Sequence, residues 1–274
     1  MFKSGMRTVY VFIFFLYFSV SNGYSFMDYK DYGFVLDKYV TSSGSVDYDG
    51  LSKNRRELDI FIKDAADLKE SEFKEWDEQE RIAFWINIYN ALTLKTVVDN
   101  YPLKSIKDIG SVFKSVWDKL EFTVIGKEMT LNHIEHGILR KDFNEPSIHM
   151  AINCASKSCP TLLGVPYSGR ELDVQFDLQS RKFLSNTGNF NVDRNKNIVY
   201  LSSIFKWFGG DFVKKYSPQK IIKDLDEKQS AVINFIVLHT GADDEEYLLA
   251  GGYKIKYLYY NWSLNDTGIK MRDR

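Results

Sequence analysis

The chain is poor in cysteine and proline, with two of one and five of the other in 274 residues. Two cysteines exclude a disulfide-dense scaffold, in which several bridges stand in for a core. Cys154 and Cys159 also lack the Cys-x-x-Cys spacing of the usual redox motif. Neither charge is in surplus: 36 Lys and Arg against 37 Asp and Glu leave −1, which argues against a nucleic-acid binder. Beyond the N-terminus no run reaches the ~20 apolar residues of a membrane span. No internal repeat, low-complexity tract, linker, glycine-rich phosphate loop or His-Glu-x-x-His string occurs.

What is present begins with a three-part N-terminus. Lys3 and Arg7 precede twelve apolar-rich residues, 9–20, and small residues Ser21 and Gly23 follow. This pattern predicts a secretory signal peptide over residues 1–23, hence export to the periplasm or the exterior. An uncleaved anchor is the alternative; no cysteine follows the run, so a lipoprotein anchor is not supported. Loss of Lys3 and Arg7 would take the net charge from −1 to −3, since residues 1–23 hold no Asp or Glu. The remainder, 24–274, is read as one globular domain with room for a sizeable core.

Apolar periodicity predicts helices over 27–40, 50–64 and 77–99, the last capped by Asp77 with Glu80 at capping-box spacing. Alternation over 120–125 and 128–131 around Gly126-Lys127 predicts a hairpin, after which Thr130 can cap a helix to about Arg140. Residues 147–153 read as a strand. Ser168 with Glu171 opens a helix to about Leu184, and 190–193 with 198–201 form a second hairpin. Ser217-Pro218 suits a helix to about Leu225; a further helix covers 228–239 and a late strand 253–260. The sum is an α+β fold, helix-rich, with a small and mainly antiparallel sheet.

Several strings resemble one known family. They are 83–91 (AFWINIYNA), Ile134-Glu135-His136 with Arg140, 148–154 (IHMAINC) with Ser158-Cys159-Pro160, 201–207 (LSSIFKW) with Asp211-Phe212, and 260–265 (YNWSLN). Together, over about 27–266, they resemble the domain of unknown function 547 family. The resemblance implies domain limits and no activity, since none is assigned to the family at large. Its pattern favours Asp where this chain has Asn261, and the change creates the acceptor Asn261-Trp262-Ser263 beside Asn265-Asp266-Thr267, two candidate N-glycosylation sites if the host glycosylates.

Three chemistries suit residues 147–160. Cys154 and Cys159 can form a structural disulfide in an exported, non-enzymatic binding or scaffold domain; a strained pair could also be redox-active. Alternatively Cys154 is a nucleophile, which needs a base and a group orienting that base. His136 or His149 would be the base and Glu135 the orienting group. Strand alternation turns His149 away from Cys154 and favours His136. Such an enzyme would carry out acyl transfer, hydrolase or transferase, with backbone amides of 155–158 around the oxyanion. Asn87, Asn90, Arg140, Asn153, Ser156, Ser158 and Cys159 would surround it, with Arg140 paired to Glu135 or to a substrate carboxylate. The third chemistry is a metal site on His133 and His136, three apart on one helix face. His239 reads as a cation at a helix C-terminus, and Lys206, Trp207 and Asp211 flank a Gly209-Gly210 turn. No cofactor is indicated, and the ligand would be a small molecule or peptide.

Overall fold

The computed structural model describes residues 26–111, 114–217 and 219–268; the expected signal peptide lies outside them. The described residues before 120 are mainly helical: α1 (Lys30–Tyr39), α2 (Tyr48–Lys53), α3 (Arg56–Asp67), α4 (Glu70–Lys74), α5 (Glu78–Val98) and α6 (Val116–Lys119). A hairpin of β1 (Glu121–Val124) and β2 (Lys127–Thr130) follows, then a π-helix His133–Leu139 that continues into α7 (Arg140–Asp142). The second half holds α8 (Leu172–Ser185), β3 (Phe190–Asp193), β4 (Ile198–Leu201), α9 (Ser203–Tyr216), α10 (Glu227–Val237), α11 (Ala242–Ala250) and β5 (Lys254–Tyr257). The fold is α+β and helix-rich. Its two small sheets are mainly antiparallel: β1 with β2 and β3 with β4 antiparallel, β4 with β5 parallel.

Local sequence explains the principal elements. Asp77 caps α5 by accepting from the Glu80 amide at 2.8 Å, which satisfies one of the orphan donors of the first turn. Glu80 does not return the favour within a capping box; its carboxylate accepts from Gly169 N at 2.7 Å and fastens the entry to α8. α5 is buried on nearly every side, as a helix without a polar face must be. The first hairpin turns on Ile125 and Gly126, both left-handed at φ 51° and 67°, the conformation that a two-residue turn between twisted strands requires. The turn is one residue earlier than expected because the Ile125 and Gly126 amides bond to Ala65 and Ala66 carbonyls of α3, each at 2.9 Å.

Two hydrophobic clusters result. One gathers α1, α3, α5, the β1–β2 hairpin and the π-helix around Phe61, Phe84 and Tyr89. The other gathers α9, α10 and β3–β5 around Phe205, Phe212 and Phe235. Met150 and Cys154, from the loop region between them in sequence, pack on the second cluster, while Ile148 and Ile152 pack on the first.

Three expected elements differ. Residues 147–153 are not a strand: Pro146–Met150 is a 3-10 turn, started by Pro146 and by Glu145 Oε1 accepting from Ser147 N at 3.0 Å. Residues 147–153 are all buried, so their apolar pattern carried no face information. No helix runs over 219–225, where Ile222 N donates to Ser230 Oγ at 3.1 Å and Asn234 Nδ2 to Lys220 O at 2.8 Å, so α10 side chains take the backbone groups. Gly209-Gly210 is no turn; it lies within α9. Among the described residues no helix is long and apolar enough to cross a membrane.

Candidate functional site

The buried amides of α5 position the loop that carries the cysteines. Asn90 accepts from Asn153 N at 2.7 Å and donates to Ala151 O at 3.0 Å. Asn87 instead binds both backbone groups of Tyr167, at 2.8 and 2.9 Å, and holds the segment before α8. Each pairing removes a buried polar group that would otherwise destabilise the fold. Asn153 then closes the loop on itself: Nδ2 donates to Pro160 O at 2.6 Å, and Oδ1 accepts from Ala155 N at 2.8 Å. These bonds hold Ala155 left-handed at φ 58°, a conformation that costs a non-glycine residue about 1–3 kcal/mol.

That bend presents Cys154 to three partners. Its sulfur lies 2.8 Å from Cys159 Sγ, 3.1 Å from Ser156 Oγ and 3.2 Å from Tyr260 Oη, and its amide donates to Cys159 Sγ at 2.9 Å. Ser156 donates to Tyr260 at 3.0 Å, which leaves the phenol proton for the sulfur. Burial alone would raise the Cys154 thiol, but the hydrogen-bonding groups around the sulfur, Cys159 first, outweigh it and hold it below the ordinary thiol value. Burial and the bond to Cys154 push Cys159 well above that value. A thiolate can only accept, so Cys154 takes the negative charge while the more buried Cys159 keeps its proton. Both cysteines are free thiols; the expected bridge is not formed.

The histidines are arranged by α9. Arg140 grips Asp211 with two bonds, Nε to Oδ2 at 2.6 Å and Nη2 to Oδ1 at 2.9 Å, and its Nη1 reaches His136 Nδ1 at 2.6 Å. His149 Nε2 meets Asp211 Oδ2 at 2.7 Å, and the ring stacks on Phe208 at 4.3 Å. Arginine only donates and a carboxylate only accepts. His136 therefore accepts at Nδ1 and carries its proton on Nε2, while His149 donates from Nε2 and keeps the Nδ1 lone pair. Burial lowers His149. Asp211 would be raised by burial, but its bonds to Arg140 and His149 hold it well below the usual carboxylate range.

These groups meet in one cavity of about 220 Å³. Cys154, Cys159, Glu135, His136 and His149 line it, together with Tyr89, Trp117, Trp207, Phe208, Tyr260 and Trp262. Trp207 and Trp262 stack at 6.0 Å, and Trp262 meets Trp117 edge-on at 5.7 Å, so the walls are aromatic. Glu135 accepts from Tyr89 Oη at 3.0 Å, and burial raises its carboxyl above the ordinary range.

Several expected roles are overturned. Glu135 is bound to Tyr89 and does not orient a histidine; Arg140 pairs with Asp211 and not with Glu135. His149 is not turned away by strand alternation, since no strand is there. Of the amides of 155–158, those of Ala155, Lys157 and Ser158 are engaged with Asn153, Ser263 and Asn261, which leaves Ser156 N as the one of the four that these bonds do not occupy. Ser158 Oγ accepts from Asn261 N at 2.9 Å and braces the loop from outside. His133 is exposed, His136 Nδ1 is occupied, and among the described residues no three His, Cys, Asp or Glu side chains form a metal cluster. His239 is tied to Asp177 at 2.9 Å and lowered by burial, which does not make it a helix-end cation. Asn265 is buried against Tyr48 and Asn153, so a glycan there is incompatible with the fold. From sequence Asp211 stands out only as a flank of Gly209-Gly210 and within a short ordered string, and Tyr260 only within such a string, because their partners lie 62 and 106 residues away.

Neither the curated proteins nor the solved structures contain a match to this chain. One family model matches, over residues 73–184, and takes in α5, the π-helix and both cysteines; three of the five ordered strings fall inside it. By that stretch the chain carries the region described as protein of unknown function, DUF547.

Proposed function

We propose that the cavity is the active site of a cysteine-dependent acyl-transfer enzyme, a hydrolase or transferase acting on an amide, ester or thioester. The observation that carries this reading is the stabilised Cys154 sulfur, bonded to Cys159, Ser156 and Tyr260, on a cavity that two tautomer-fixed imidazoles also line. Among the described residues no imidazole bonds to Cys154, so hydroxyl and thiol donors, not an ion pair, would generate the nucleophile. The thiolate attacks the carbonyl carbon and the carbonyl π electrons move to oxygen. His136 Nε2–H is the donor suited to that oxyanion. Collapse expels the leaving group, which takes its proton from water, and leaves a thioester on Cys154. His149, oriented by Asp211, then takes a proton from water or another acceptor, which attacks the thioester and releases Cys154.

The test is a panel of chromogenic esters, thioesters and peptide amides against wild type and Cys154→Ala, with both folds checked by circular dichroism. Turnover is expected only in wild type, with an acyl adduct on Cys154 found by peptide mass spectrometry. Equal turnover in both proteins, or no Cys154 adduct with any member of the panel, defeats the reading.

A further inference from the structure

Cys159 has no step in acyl transfer, yet it lines the same cavity and its sulfur is 2.8 Å from that of Cys154. Closing this gap to the bond length of about 2.05 Å moves the sulfurs by less than about one ångström. The chain between them is already bent: Cys159 N donates to Ser156 O at 3.1 Å, Asn153 ties Pro160 O, and Ala155 holds its left-handed turn. A bridge therefore requires side-chain rotation without rebuilding the loop. The two sulfurs are also unequal in access, Cys154 half-buried and Cys159 8% exposed, so a reagent entering the cavity reaches Cys154 first.

We propose that Cys154 and Cys159 form a dithiol centre that reduces hydroperoxides, with Cys154 the attacking and Cys159 the resolving sulfur. The Cys154 thiolate attacks the distal oxygen of ROOH. A sulfur–oxygen bond forms, the oxygen–oxygen bond breaks, and the departing alkoxide takes a proton to become the alcohol. Cys154 is then a sulfenic acid. Cys159 attacks that sulfur, the disulfide forms, and the hydroxide that leaves carries off the Cys159 proton as water. Two electrons pass from the two thiols to the peroxide, and an external thiol restores the pair through a mixed disulfide. The aromatic walls formed by Trp117, Trp207 and Trp262 suit an aryl or alkyl hydroperoxide.

The experiment treats the reduced full chain with one equivalent of cumene hydroperoxide and reads intact mass, free thiols and dimedone adducts. Wild type is expected to lose two hydrogens and both thiols without retaining a dimedone adduct. Cys159→Ser should trap sulfenic acid, so that dimedone labels Cys154. Cys154→Ser should consume no peroxide above an unfolded-protein blank. If a serine variant fails to fold, phenylarsine oxide binding to wild type replaces it, since a stable one-to-one adduct requires both sulfurs within reach of one arsenic. The proposal is overturned if wild type keeps two thiols, if Cys154 goes to sulfinic acid without bridging, or if no arsenical adduct forms. No acyl donor is present in these assays, so their failure leaves acyl transfer untouched, and an inactive acyl panel leaves the dithiol chemistry standing.

Discussion

Asn90→Ala tests whether α5 holds the cysteine loop in place. The wild-type amide satisfies Asn153 N at 2.7 Å and Ala151 O at 3.0 Å, and Asn90 is 2% exposed. Truncation orphans one buried donor and one buried acceptor, each costing about 1–3 kcal/mol, for a total of about 2–6 kcal/mol. That is a large part of the roughly 5–15 kcal/mol by which a domain is stable. With a urea slope of about 3 kcal/mol per molar, the unfolding midpoint should fall by about 0.7–2 M. The same variant should alkylate at Cys154 with an altered rate, because Asn153 fixes the bend that presents the sulfur. Lys63→Ala, which breaks a fully exposed pair with Asp67, is the control and should leave the midpoint unchanged within error. A midpoint for Asn90→Ala within error of that control refutes the reasoning.

Tyr260→Phe removes the hydroxyl donor on the Cys154 sulfur, so the pH curve for iodoacetamide labelling of Cys154 should move to higher pH; an unmoved curve counts against a stabilised thiolate. The acid limb of stability should depend on Asp211 and His149, both of which have folded values below their unfolded ones. Their contribution is full above the unfolded values, about 6.5 for His and about 3.9 for Asp, and is lost as pH falls. Asp211→Asn should flatten the part of a melting-temperature profile below about pH 4 and lower stability at neutral pH by roughly 2 kcal/mol, allowing for its partial exposure; an unchanged profile would count against the network. Gly169→Ala places a methyl 2.6 Å from Glu80 N and 2.8 Å from Glu80 Cα, backbone atoms that must shift. A loss of about 1–3 kcal/mol is expected in urea unfolding, and a neutral result would mean that the α5–α8 junction yields easily.

Local signals carried to the structure where one physical cause dominated. Asp77 with the apolar run after it marked α5, and the 190–201 hairpin followed from alternation around a polar turn. Signals failed where tertiary contacts took over. The run at 147–153 is buried on every side, so neither period two nor period 3.6 was written into it, and Pro146 with Glu145 decided the turn. Gly209-Gly210 resembled a break, yet the apolar residues on both sides and the Ser202 cap carry α9 through it. The cysteine loop and the histidines were legible as chemistry-bearing residue types. Their pairings were not: Asp211 with His149, Asp211 with Arg140 and Tyr260 with Cys154 are set by packing of distant segments. The π-helix was also invisible, because a π-helix and an α-helix draw on the same residues.

The bond between Cys154 and Tyr260 spans 106 residues, and this has a consequence for biosynthesis. At about 5–20 residues per second, a ribosome makes Tyr260 roughly 5–20 s after Cys154. During that interval the sulfur has no phenol beside it, and for about half of it Asp211 is missing as well. The nascent polypeptide thus emerges with an ordinary, sluggish thiol, and electrophile sensitivity arrives only when the last turns of the chain dock. Labelling kinetics at this one sulfur would serve as a clock for completed folding.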